Sequence, residues 1–265
     1  MTLTIRKKQV IFLLSYIVVC VLVKAANAEE LKLAVASNFL KPMKTLVAIY
    51  EKETAQRVLI SSGSTGKLYA QIIHGAPYDL FFAANTREPM RLEKSGHAIV
   101  GSRTTYAVGK IVLWSKNHNI SQQTEIAKIF SDKSLKTLAI ANPKTAPYGA
   151  AAMQVINNLN IPLQDLRVVQ GENINQTFQF LLSSNVDFGF IAASQQSAFQ
   201  KEGYFLPIPD DLYTPIEQQV VVLASSKHLI EAEKFLKFIS RVDVKQQIAA
   251  YGYDLLNSSS TVTMK

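Results

Sequence analysis

Continuous apolar runs alternate with segments of helical periodicity along almost the whole chain, and this alternation constrains the fold more than any other feature. The runs LKLAVA (31–36), RVLIS (57–61), YDLFFAA (78–84), KIVLWS (110–115), KTLAIA (136–141), LRVVQ (166–170), VDFGFIA (186–192) and QQVVVLA (218–224) read as strands. Most have no polar alternation, so both faces of the sheet must be covered by helices, as in parallel α/β architectures. The intervening segments supply those helices. From Asn38 to about Thr54, Phe39, Met43, Leu46, Val47, Ile49 and Tyr50 recur at helical spacing, with Pro42 near the first turn, where proline is tolerated. Helices are also predicted over Lys67–His74 and Arg87–Ser95, and the last over about Leu229–Ser240. So many elements suggest two lobes, each a mostly parallel sheet flanked by helices. Crossings are expected near Tyr106–Gly109 and Pro215–Gln218. One lobe then comprises residues 29–108 plus 218–265, and the other residues 109–217.

The first 28 residues are expected to be no part of this fold. Arg6, Lys7 and Lys8 precede an apolar run from Val10 to Val23, and Ala26-Asn27-Ala28 matches an A-x-A cleavage site. The run is shorter than the roughly 20 residues of a membrane span, so residues 1–28 read as a cleavable secretory signal. Cys20, the one cysteine, leaves with it. An exported chain without disulfides depends on its core for stability. The full chain carries 28 basic and 20 acidic side chains, and Arg6, Lys7, Lys8 and Lys24 are lost with the leader. The mature protein is mildly basic, with no basic stripe of the kind that binds nucleic acid.

Chemistry concentrates where strands end. Ala36-Ser37-Asn38, Gly63-Ser64-Thr65-Gly66, Asn142 to Gly149 and Gly171-Glu172-Asn173-Ile174 each join a strand to a helix. Any one of them is explained by helix capping, since Ser37, Asn38, Ser64 and Thr65 are good N-cap types. Ligands of open α/β sheets, however, bind beyond the carboxyl ends of the strands, where helix N-termini offer free N–H groups and partial positive charge. Four such turns around one cleft would hold an anion without a cationic side chain.

Enzymatic alternatives have less support. Gly63 to Lys67 resembles a P-loop but has too few residues between its glycines, and Leu68 follows the lysine. Ser64-Thr65-Gly66-Lys67 matches S-x-x-K of serine acyl-enzymes of the β-lactamase type, but no Ser-Asp-Asn or Lys-Thr-Gly accompanies it. His74, His97, His118 and His228 are dispersed, so no cationic metal site is indicated. Asp210-Asp211 has no evident acidic partner. No nucleophile, base and orienting group assemble, so no catalytic residue is expected.

Five motifs in order carry a resemblance: Ala34-Val-Ala-Ser-Asn38, Gly63-Ser-Thr-Gly-Lys-Leu-Tyr-Ala-Gln71, Gly75-Ala-Pro-Tyr-Asp79, Ala141 to Gly149, and Gly171-Glu-Asn-Ile174. Together they resemble the periplasmic molybdate-binding proteins of ABC transporters, over nearly the whole mature chain. The resemblance implies the two-lobed periplasmic-binding-protein fold and a non-enzymatic function. That function is capture of molybdate or tungstate between the lobes and delivery to a membrane permease and its ATPase at the inner membrane. It also implies a periplasmic location and a monomer, with no cofactor beyond the bound oxyanion. By position it assigns ligand contacts to Ser37, Asn38, Thr65, with Ser64 beside it, and the backbone N–H groups of Tyr148 and Ile174. Some relatives use a tyrosine where Ala192 stands here, and Asn38 is expected to supply the missing side-chain donor. Sulfate, phosphate or another oxyanion is the alternative cargo.

Overall fold

The computed structural model describes residues 30–120, 125–196 and 203–255. The leader, residues 1–28, lies outside the described residues. The strands are β1 (Leu31–Ala36), β2 (Val58–Gly63), β3 (Leu80–Ala83), β4 (Thr104–Gly109), β5 (Ile111–Ser115), β6 (Thr137–Ala141), β7 (Arg167–Gly171), β8 (Phe188–Ala192), β9 (Tyr204–Pro207) and β10 (Ile216–Val222). They form two five-stranded sheets, ordered β2-β1-β3-β10-β4 and β7-β6-β8-β5-β9.

The two sheets share one plan. In the first, β1 pairs in parallel with β2 and β3, and β10 runs antiparallel between β3 and β4. In the second, β6 pairs in parallel with β7 and β8, and β5 runs antiparallel between β8 and β9. Each sheet is mostly parallel, as the sequence suggested. In each, the reversed strand is the one the chain enters after changing sheets. The outward passage is Lys110, between the end of β4 and the start of β5, and the return runs through residues 208–215.

Strands β4 and β9 and the helix Val242–Ala250 have no counterpart in the sequence-based assignment. Both are weak sequence signals, since β4 opens on Thr104-Thr105 and ends at Gly109, and β9 is only four residues ending in Pro207. The extra helix buries only Val244 and Ile248, too few positions to announce a period.

Packing follows the expected patterns. The helix Leu40–Thr54 buries Pro42, Met43, Leu46, Val47 and Tyr50 and stops at Ala55, which takes a left-handed conformation (φ 56°). Its predicted first residues, Asn38 and Phe39, form instead a 3-10 turn, Ser37–Phe39. On the first sheet Phe235 packs edge-on against Tyr50 and Phe82. Truncating such a fully buried aromatic costs about 3–5 kcal/mol. The core of the second sheet takes in Ala36, Ala84 and Ile216 from the first-sheet strands and their ends, so apolar packing continues across the junction of the lobes.

Candidate functional site

The four polar turns lie beyond the carboxyl ends of the parallel strands β1, β2, β6 and β7, and they converge. β1 runs into the 3-10 turn, β2 into the helix Thr65–Ile73, β6 through a turn into the helix Pro147–Asn158, and β7 into the helix Ile174–Leu182. Ser37, Asn38, Ser64, Thr65, Tyr148 and Ile174 line one small cavity, walled otherwise by Ala36, Gly63, Ala84, Ala146 and Pro147. All six are buried. Residues 36–38, 63–65 and 84 come from the first lobe and residues 146–148 and 174 from the second.

The cavity presents donors without charge. The hydroxyl of Ser64 is buried and has no hydrogen-bond partner, and although Ser64 stands at a helix N-cap, its side chain caps nothing. A buried orphan hydroxyl costs about 1–3 kcal/mol, so its place facing a polar cavity calls for an acceptor there. The neighbouring Thr65 hydroxyl accepts from the Ala84 N–H (3.0 Å) and keeps its own proton to donate. Asn173 caps its helix by accepting from the N–H groups of Asn175 and Gln176, which leaves that of Ile174 outside the cap. Tyr148 sits in the first turn of its helix, where N–H groups have no intrahelical acceptor.

Asn38 lines the cavity as expected and has further partners that the sequence did not indicate. Its side-chain amide donates to Gln218 Oε1 (2.8 Å) and Tyr253 Oη (3.0 Å), which uses both protons. Asn38 thus lines the cavity and, in this structure, also joins a buried polar cluster next to it. Ala192 lies in β8 and does not line the cavity. The cluster also holds Tyr106, Tyr148 and Ser194; Tyr106 and Gln218 were expected only as limits of the crossings, and Tyr253 and Ser194 were given no role from sequence. One signal was available: Gln218 and Gln219 are buried polar residues directly before the apolar run Val220–Val222 of one strand. Burial pushes the hydroxyls of Tyr106, Tyr148 and Tyr253 well up from the ordinary tyrosine range, so they stay protonated at neutral pH.

Charges stay outside. Lys67 pairs with Glu172 at 2.7 Å with both side chains about half exposed, and this pair bridges the helix after β2 and the turn after β7, the outer-edge strands farthest from the crossings. Lys67 is thus turned to a carboxylate, and no hydrogen bond joins it to Ser64, as a serine acyl-enzyme would require. Among the described residues no group of three or more His, Cys, Asp or Glu could hold a metal ion. A larger cleft adjoins the cavity across Ala84, Ala146 and Pro147 and carries Arg87 and Lys144.

Residues 31–254 match the family of bacterial extracellular solute-binding proteins. The chain belongs to that family. It is 42% identical to the molybdate-binding protein ModA of Azotobacter vinelandii over 87% of this chain and 92% of that protein. It is 36% identical to the molybdate-binding protein ModA of Rhodobacter capsulatus over 86% of this chain and 89% of that protein. The solved periplasmic molybdate-binding protein of A. vinelandii superposes with a TM-score of 0.81 at 37% identity, covering 86% of this chain and all of that one. The resemblance expected from the five motifs is thereby borne out, and the chain is a solute-binding protein, not an enzyme.

Proposed function

We propose that this protein captures molybdate or tungstate in the cavity between its lobes and delivers it to an ABC permease and its ATPase at the inner membrane. The observation that carries this is a small cavity, lined from both lobes by neutral donors, whose Ser64 hydroxyl has no protein acceptor. The names of the relatives from A. vinelandii and R. capsulatus point to the same cargo. Ser37, Asn38, Ser64, Thr65 and the backbone N–H groups of Tyr148 and Ile174 are the proposed contacts. Hydrogen bonds to an ionised acceptor are worth roughly twice neutral ones, and more where water is excluded. A dianion is thus held tightly without a lysine or arginine. The lobe division of the sequence-based assignment (29–108 with 218–265, and 109–217), export to the periplasm and a monomeric state belong to this proposal. Calorimetric titration with molybdate, tungstate, sulfate and phosphate tests it. Tight binding of the first two is expected, whereas preference for sulfate or phosphate would move the protein to another oxyanion class.

A further inference from the structure

Behind the cavity, one fully buried side chain touches binding residues of both lobes. Gln218, in the strand β10 by which the chain returns to the first sheet, is 0% exposed. Its Oε1 accepts from Asn38 Nδ2 (2.8 Å) and from the Tyr106 hydroxyl (3.0 Å). Its Nε2 donates to the Tyr148 hydroxyl (3.3 Å). Asn38 belongs to the first lobe and Tyr148 to the second, so one amide ties the two walls of the cavity to a crossing strand. The site is built for close approach. A β-carbon on Gly109, at the other crossing, would collide with the Tyr148 hydroxyl and meet Gln218 Nε2 at 2.7 Å. Tyr253 completes the frame by donating to the Asn38 carbonyl oxygen (2.9 Å), which also accepts from Ser194 Oγ of the second lobe (3.1 Å).

We propose that Gln218 is a positioning residue for oxyanion binding: it holds Asn38 and Tyr148 in the closed arrangement and so sets how slowly the anion leaves. The bonds of Gln218 to Asn38 and Tyr106 lie within the first lobe, whereas its bond to Tyr148 spans the lobes and forms only when they meet. Loss of the amide therefore removes an interlobe tie of the closed complex and loosens the Asn38 wall that closure meets. The inference rests on the proposed oxyanion function but not on which oxyanion is carried.

The test is Gln218→Met, which removes both polar atoms at similar volume, beside Tyr148→Phe and the double variant. Release of radiolabelled molybdate into excess unlabelled molybdate is followed by filter retention, with labelled sulfate run in parallel. Association rates and anion-free melting curves are measured on the same preparations. The dissociation rate of Gln218→Met is expected to rise about tenfold or more, the loss of one to two net hydrogen bonds, with the association rate within about twofold. The double variant should release the anion little faster than Gln218→Met, because Tyr148 acts through the same amide. Equal release from wild type and Gln218→Met overturns the proposal, as do effects that add in the double variant. A lower melting temperature with unchanged release identifies Gln218 as structural only and also overturns it. A wild type that retains sulfate and not molybdate overturns the proposed cargo, and the same comparison of release rates on sulfate then decides the role of Gln218.

Discussion

The backbone N–H of Gly66 donates to the carbonyl oxygen of Thr145 across 2.9 Å, joining the first turn of a first-lobe helix to a second-lobe loop beside the cavity. This bond, the Lys67–Glu172 pair and the Ser194–Asn38 bond all span the lobes, so the arrangement described is a shut cleft. An anion bound there contacts both lobes and stabilises the shut form. Saturating molybdate is therefore expected to compact the protein and raise its melting temperature, by about 2.7 kcal/mol of stability at 100 times Kd. Small-angle scattering with and without molybdate checks it; identical curves together with an unchanged melting temperature would contradict it.

The approach of Gly66 to Thr145 gives a sharper test of closure. A β-carbon on Gly66 would lie 3.1 Å from both Cα and the carbonyl oxygen of Thr145, backbone atoms that cannot swing aside. Gly66→Ala should weaken molybdate binding by roughly tenfold through incomplete closure, an overpacking cost of the usual size. The anion-free protein should be no less stable, since alanine favours the helix. Lys67→Gln should be much milder, because a half-exposed ion pair contributes at most about 1 kcal/mol and is screened by salt. Calorimetry on both variants at two salt concentrations separates the effects; equal losses would show that charge and not fit controls the cleft.

Ser64 and Thr65 are adjacent and chemically alike, yet their environments predict opposite stability effects. Ser64→Ala removes an orphan buried hydroxyl, so the anion-free melting temperature should not fall, while binding loses about 1.5–3 kcal/mol. Thr65→Ala also strips the Ala84 N–H of its acceptor, so it should lower both affinity and anion-free stability. Thermal scans and titrations of the pair decide it, and a Ser64→Ala protein that binds normally would remove Ser64 from the contacts.

How much of this was legible beforehand differs by level. The parallel strands β1, β2, β6 and β7 and the turns after them were readable, because each strand is a continuous run and each turn ends in small polar residues. That placed the four turns around one cleft, and the family resemblance picked out Ser37, Asn38, Ser64, Thr65, Tyr148 and Ile174 within them. Sequence could not separate Ser64 from Thr65, since the difference is whether an amide 19 positions away, that of Ala84, takes the hydroxyl. Nor could it give Asn38 its neighbours, which come from Gln218 and Tyr253, 180 and 215 positions on. Long-range polar contacts leave no local period. Strands β4 and β9 were lost because their own sequences are weak signals: β4 opens on Thr104-Thr105 and ends at Gly109, and β9 is four residues ending in Pro207.

The buried tyrosines set an alkaline limit. Desolvation raises Tyr106, Tyr148 and Tyr253 in the folded protein, and for Tyr148 its tyrosine neighbours add to the rise. A raised folded value means that their contribution to stability is intact below the ordinary tyrosine value of about 10 and is lost as pH climbs above it. Ultraviolet titration should show a class of tyrosines that ionises only together with loss of the circular dichroism signal. Their normal ionisation in folded protein would mean that the cluster is open to solvent.

Selectivity follows from the kind of donor that lines the cavity. No carboxylate is present there, and Glu172, the nearest candidate acceptor in sequence, is turned out to Lys67. Phosphate near neutral pH carries a proton that needs an acceptor. Bound in this cavity, the protonated oxygen would be buried unpaired, at about 1–3 kcal/mol or more, beside donors left without a charged oxygen. Molybdate, tungstate and sulfate are all unprotonated dianions under these conditions, so neither charge nor protons can rank them. Size can, because the metal–oxygen bonds are longer than those of sulfur. A shut cleft fixed by the Gly66–Thr145 bond and by Gln218 cannot shrink further without backbone collision, so sulfate would leave stretched hydrogen bonds on one wall. The expected order is molybdate close to tungstate, sulfate far weaker, and phosphate without measurable binding. Titrations at one pH and ionic strength decide it, and tight phosphate binding would require an inward acceptor that the cavity described here does not contain.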